Sequence, residues 1–106
     1  MTPEEKLREV KHRFMALRNG IVGDIYRRAG ITCYDVIFGL NLPQIAETAR
    51  EFGPDDRLAQ LLWADTKVRE SRLLAIRLWP KDDAESLLSQ AQTKEEADYI
   101  RLRMRQ

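Results

Sequence analysis

A chain of 106 residues, 33% charged and 43% apolar, is sized for one domain with a modest core. Its make-up is that of a helix-rich globular protein rather than a disordered chain. The formal charge of +1 excludes an overall electrostatic commitment to nucleic acid, so any such binding must come from uneven placement of charge.

The placement is uneven, because residues 31–66 carry two basic residues against six acidic ones while the segments on either side lean basic. No apolar run reaches the roughly 18 residues of a membrane span, and Glu4, Glu5 and Glu9 interrupt the N-terminus where a signal peptide would be apolar. A lone Cys33 excludes an internal disulfide and fits a reducing cytoplasm.

In chain order, TPEEKLREVKHRFMALRNG predicts a helix to about Arg18. Thr2 is its N-cap, Pro3 its first helical residue, and Glu5 complements the dipole. Leu7, Val10, Phe14 and Leu17 follow 3-4-3 spacing on one face. Asn19-Gly20 offers a left-handed terminator. A shorter helix is expected over Ile21–Ala29, stopped by Gly30. The apolar residues between Gly30 and Leu42 are too dense for one helical face and predict a loop with a short turn.

Asn41 then caps a helix with Pro43 in its first turn. Leu42, Ile45, Ala46, Ala49 and Phe52 form its apolar stripe up to Gly53. The stretch PDDRLAQLLWADTKVRESRLLAIRLWP predicts two tightly joined helices. The first bears Leu58, Leu61, Leu62 and Trp63 behind an acidic start at Asp55 and Asp56. The second begins at Asp65 or Thr66, has Val68, Ser71, Leu74, Ala75 and Leu78 along one side, and stops at Pro80. Asp82 opens a further helix through Leu88, and Thr93 with Glu96 forms a capping box for a last helix to about Met104. Short helices with tight turns and no strand predict an all-α single domain over 1–106, built as stacked antiparallel helix pairs in a short solenoid. No internal repeat aligns at a fixed period.

FGLNLPQIAETAREFG followed by LAQLLWADTKVRESRLLAIRL resembles the HEAT-like DNA alkylation repair family, the alkylpurine DNA glycosylases. That family's pattern runs Phe/Tyr-Gly-Val-x-x-Pro-x-Leu-x-x-x-Ala, then Leu-Trp, then Glu-x-Arg-x-Leu-Ala. It falls here on Phe38, Gly39, Leu40, Pro43, Ile45, Ala49, Leu62, Trp63, Glu70, Arg72, Leu74 and Ala75. The resemblance covers residues 38–78 and implies a right-handed HEAT-like superhelix. The family's active members are longer and carry their catalytic aspartate and base-contacting tryptophans beyond the repeats matched here. KEEADYIRLRMRQ offers only Asp98 and Tyr99 as superficial stand-ins, so the resemblance implies no catalytic residue and no glycosylase activity by the chain itself. It also implies scaffold roles for Trp63 and Trp79, and for Glu70 and Arg72 a structural role fixing neighbouring helices or loop carbonyls.

Arg8, Lys11, Met15 and Arg18 share a stripe on the first helix, and Arg8, Lys11 and Arg18 are the candidate contacts to DNA phosphates. The plainer reading is a solvated face, since glutamates on that helix offset the charge. Arg101, Arg103 and Arg105 are read first as complementing a helix dipole. His12 is the only histidine and reads as exposed, and Cys33 reads as a small buried or half-buried residue rather than a reactive thiol. No metal or cofactor motif is present.

Three functions stay open. One is a DNA-associated accessory domain making weak backbone contacts to duplex DNA, and another is a helical protein-interaction scaffold unrelated to DNA. The third is an activity regained by assembly with another chain. An exposed end face would call for a homodimer through the C-terminal helices, a second protein, or a charged last helix acting as its own cap.

Overall fold

A computed structural model describes all residues from Met1 to Gln106. It contains six α-helices: α1 (Pro3–Leu17), α2 (Gly20–Arg28), α3 (Leu42–Phe52), α4 (Asp56–Ala64), α5 (Arg69–Leu78) and α6 (Lys94–Met104). A 3-10 segment, Lys81–Gln90, lies between α5 and α6. There is no strand, only an isolated parallel bridge between Val36 and Val68. No helix is long and apolar enough to cross a membrane.

The sequence punctuation explains most helix starts. Thr2 Oγ1 accepts the Glu5 amide at 3.1 Å, Asn41 and Gln44 form a reciprocal capping box, and Asp55 Oδ1 accepts the Leu58 amide at 3.0 Å. Thr93 accepts from Glu96 N at 3.1 Å. The box expected there is only half made, because the Glu96 carboxylate takes the Gln92 amide instead.

Three junctions differ from expectation. Asn19-Gly20 does not end α1 with a left-handed residue. Asn19 is extended, and its side chain accepts the Ile21 and Val22 amides, capping α2. The left-handed terminator comes at Gly30, where φ is 90°. There the amides of Gly30 and Ile31 reach back to the carbonyls of Arg27 and Tyr26, which closes α2.

α5 begins at neither Asp65 nor Thr66. Asp65 closes α4, its carboxylate taking the Ser71 hydroxyl at 2.7 Å. Val68, which has no side-chain oxygen, precedes α5, and the Val36 carbonyl on the 30–41 loop supplies the acceptor for Arg69 N at 3.2 Å. The expected helix from Asp82 is a 3-10 segment, which buries Ala84 and Leu87 three residues apart, matching its three-residue turn.

α5 packs against α3, α4 and α6, while α1 lies on α4 and α3, and the 3-10 segment lies on α6. Apart from Arg77, every residue of α5 is buried, so the one-sided stripe expected for it becomes an all-round core position. A helix in this position must bury whatever polar residues it carries. The core cluster gathers Val10, Phe14, Ile45, Leu58, Leu62, Trp63, Leu73, Leu74, Ile76 and Ile100 with their neighbours. Leu42, expected on the buried stripe of α3, is 38% exposed, and Thr48 is buried in that helix instead, its hydroxyl returned to the Gln44 carbonyl.

Candidate functional site

Charged side chains gather in two places of opposite character. The first is internal and centres on the opening turn of α5. Arg69, Glu70 and Arg72 are 3% exposed or less, a placement tolerated only with full pairing. Glu70 receives the backbone amides of Phe38 (2.8 Å), Gly39 (3.0 Å) and Leu40 (3.3 Å). Its carboxylate thus folds the 30–41 loop against α5. Gly39 permits this, having φ of 86° and a position where a Cβ would stand 2.2 Å from the Asn19 carbonyl oxygen.

Arg69 donates to Glu70 at 2.5 Å, to the Leu40 carbonyl, to both oxygens of Glu95 and to the Tyr26 hydroxyl. Arg72 donates to the carbonyls of Trp63 and Gln90, each at 2.8 Å, and to Glu96. Its guanidinium carbon lies 3.3 Å from the Trp63 ring centre. Tyr34 donates its hydroxyl to Glu96. Arg72 therefore ties α4, the 3-10 segment and α6 to α5. Glu70 and Arg72 do not pair with each other; each reaches a different part of the chain.

Ionisation follows the same geometry. Burial alone would lower the Arg69 pKa, but Glu95 and Glu70 outweigh it and hold the group charged. Burial would raise the Glu95 carboxyl, but hydrogen bonds from Arg69 and Tyr26 bring it below its ordinary value. Burial, then the bond to Glu96, pushes Tyr34 upward, so it stays a phenol. No buried side-chain nitrogen or oxygen lacks a partner. Each buried polar atom of the network already holds a partner within the chain, as a structural role requires.

The second gathering is a surface groove of about 370 Å³ lined by Ala46, Ala49, Arg50, Gly53, Pro54, Arg77, Leu78 and Arg103. Its floor is close-packed, since a Cβ on Gly53 would meet Leu78 Cδ2 at 2.3 Å. Arg103 donates Nε to the Trp79 carbonyl at 3.0 Å and Arg77 donates to the Gln106 side-chain amide. Neither has a carboxylate within ion-pair distance, whereas Arg50, on the rim, is paired with Glu47. Partial burial, then the charge of Arg77, lowers the Arg103 pKa.

The residues expected to contact DNA, Arg8, Lys11 and Arg18, do not line this groove. Lys11 is 3.1 Å from Asp65, Arg18 folds onto the Met15 carbonyl at the end of its own helix, and Arg8 is exposed. The largest hollow, about 540 Å³ and bordered by residues of α1 and α3, has its cations Lys6 and Arg13 paired with Asp55 and Glu51.

The motif residues do come together. Phe38, Gly39, Glu70, Arg72 and Trp63 belong to the internal network, the Phe38 ring lies 5.7 Å from that of Phe14, and Pro43 sits exposed in the first turn of α3. Trp79 packs 6.3 Å from Trp63. Asp98 is an exposed carboxylate held below its ordinary pKa by Lys94 and Arg101, the opposite of a general base tuned toward neutrality. Tyr99 is buried, and burial raises its pKa. His12 is exposed and Cys33 half-buried. No three His, Cys, Asp or Glu side chains are placed to hold a metal ion.

Sequence reasoning missed Arg69, Tyr26, Tyr34 and Glu95 in the network, and Arg77 in the groove. A faint signal for the first was available, since three charged residues open a helix whose remainder is nearly all apolar. Nothing local marks Arg77 as a neighbour of Arg103. Compared with known proteins, the chain matches no family model, no curated protein and no solved structure.

Proposed function

We propose that this chain is a HEAT-like domain of the DNA alkylation repair kind that associates with duplex DNA through backbone phosphates and has no glycosylase activity by itself. The observation that carries the reading is the groove bordered by Arg50, Arg77 and Arg103, where two guanidinium groups lack carboxylate partners in an otherwise nearly neutral protein. Cations left unpaired in a concavity are what a phosphate backbone needs, and they give affinity without sequence preference. Two further observations support the fold part of the reading. α4 packs on α5 and the 3-10 segment on α6, two chain-adjacent pairs of the kind a stack is built from. Within the family pattern, Glu70 holds the Phe38 and Gly39 amides and Arg72 holds the Trp63 carbonyl, which are scaffold contacts.

Titrating a labelled duplex across a salt series tests this. Weak binding that falls steeply with added salt is expected, and no binding even at low ionic strength removes the DNA reading. Release of alkylated bases from damaged DNA should be absent with the chain alone; release appearing only with cell extract would favour activity in an assembly.

One observation favours a second reading, a protein-interaction scaffold. Ile21 and Ile25, one turn apart on α2, are 75% and 57% exposed, more than any apolar side chain of α6. On that reading the sticky surface lies on α2 rather than at the C-terminal end. Light scattering at high concentration, with Ile21→Ser and Ile25→Ser as comparison, tests self-association there.

A further inference from the structure

We infer that Arg77 and Arg103 form a seat for a single phosphate group, a residue-level address that rests on the DNA reading above. Three features carry it. The two side chains come from the last turns of different helices, α5 and α6, so the juxtaposition is made by tertiary packing. Each guanidinium is oriented by a neutral partner, the Trp79 carbonyl for Arg103 and the Gln106 amide for Arg77, which leaves N–H groups over and no negative charge to satisfy them. Finally, the groove between them is walled by small or apolar groups, Ala46, Ala49, Gly53, Pro54 and Leu78, with no acid among its lining residues.

Complementing helix dipoles accounts for one cation at each helix end. It does not account for placing two at the same hollow, where they repel. An anion held between them removes that repulsion. The ligand chemistry is a tetrahedral phosphate, because the planar fork of a guanidinium presents paired donors to adjacent phosphate oxygens, and two forks can share one phosphate. The source is either a phosphodiester in duplex DNA or free phosphate, and the test separates them.

The test follows thermal unfolding with inorganic phosphate against chloride at matched ionic strength, and duplex affinity across a salt series. It uses the unaltered chain, the double variant Arg77→Gln/Arg103→Gln, and Arg101→Gln as a surface control. Circular dichroism checks that each variant is folded. For the unaltered chain, phosphate raises Tm and chloride does not. The double variant loses that rise, binds duplex about tenfold or more weakly, and shows a salt slope smaller by about two. Arg101→Gln leaves the phosphate effect in place. Arg77→Lys/Arg103→Lys, which keeps the charge without the fork, restores the salt slope but only part of the phosphate effect.

Duplex binding by the unaltered chain and the double variant alike, with no phosphate effect, overturns the seat and leaves the DNA reading standing. A phosphate effect without duplex binding keeps the seat for free phosphate and removes the DNA reading. Silence in both assays removes both.

Discussion

The opening turn of α5 and its last turn carry the same kind of residue to opposite ends. At the start, Arg69 and Arg72 are enclosed by Glu70, Glu95, Glu96 and backbone carbonyls, and every guanidinium nitrogen is hydrogen-bonded. At the end, Arg77 reaches the surface beside Arg103 with no carboxylate in range. The guanidinium group is identical in the two places, so its chemistry does not decide what it does. Partner supply decides. Enclosed arginines hold loops and helices in register, and unpaired ones at a hollow are available for an external anion.

The largest expected effect comes from breaking the enclosed end. Glu70→Ala should cost about 3–5 kcal/mol, because it takes from the buried Arg69 one of its two carboxylates and removes the acceptor for the Phe38, Gly39 and Leu40 amides. Urea unfolding measures this, and a loss below about 1 kcal/mol, the scale of an exposed ion pair, would mean that the network is solvated. Arg72→Met is expected to cost about 3 kcal/mol, since it leaves Glu96 buried without its cation and frees two carbonyls. The shared Trp63 contact can be checked by following indole fluorescence in the same experiment.

Gly39→Ala comes next. A Cβ there would meet the Asn19 carbonyl, and the backbone is left-handed, so a loss of about 2 kcal/mol or more is expected by thermal unfolding. Gly30→Ala is its comparison, because it shares the positive φ but has nothing within 4 Å of an added Cβ, and should cost about 1 kcal/mol. Equal losses at the two positions would show that the loop does not press on the α1–α2 junction.

Acidification should then weaken the enclosed end and the Asp55 cap of α4 before it touches the groove. Glu95 and Asp55 both have pKa values depressed on folding. For Glu95 burial opposes the shift and hydrogen bonds from Arg69 and Tyr26 overcome it; for Asp55 the bonds from Lys6 and the Leu58 amide dominate. The unfolded chain therefore takes up protons first as pH falls. The stability these groups give is complete above the ordinary carboxylate range and is lost as pH drops through and below it. Unfolding at successive pH values should show that loss, reduced in Glu95→Gln. Smallest of all, Lys11→Ala removes an exposed pair with Asp65 and should change stability by about 0.5 kcal/mol or less.

Helix starts were legible because capping is local: Thr2, Asn41, Asp55 and Thr93 each act on the amide three residues ahead. The beginning of α5 was not, because Val68 has no capping atom and the acceptor for Arg69 N comes from Val36, more than thirty residues earlier. Asn19 misled for a related reason. It serves equally as terminator or cap, and its extended backbone was selected by packing, with its amide donating to the Phe38 carbonyl. The sequence suggests for Glu70 and Arg72 a structural role fixing neighbouring helices or loop carbonyls; Glu70 takes three loop amides and Arg72 donates to two carbonyls. That reading needed the resemblance, since a charged pair on a helix otherwise suggests a solvated face. Helical spacing alone puts Arg8, Lys11 and Arg18 on one stripe and carries no sign that Asp65 stands beside Lys11.

The sequence by itself determined an all-helical chain and most of its helix limits, because caps, glycines, prolines and apolar spacing act within a few residues. Tertiary structure decided which charges are enclosed and which are free. Each depends on a partner from a distant segment, Glu70 with the 38–40 loop, Arg72 with Glu96, and Arg77 with Arg103. Only when α3, α4 and α6 close around α5 do those segments meet.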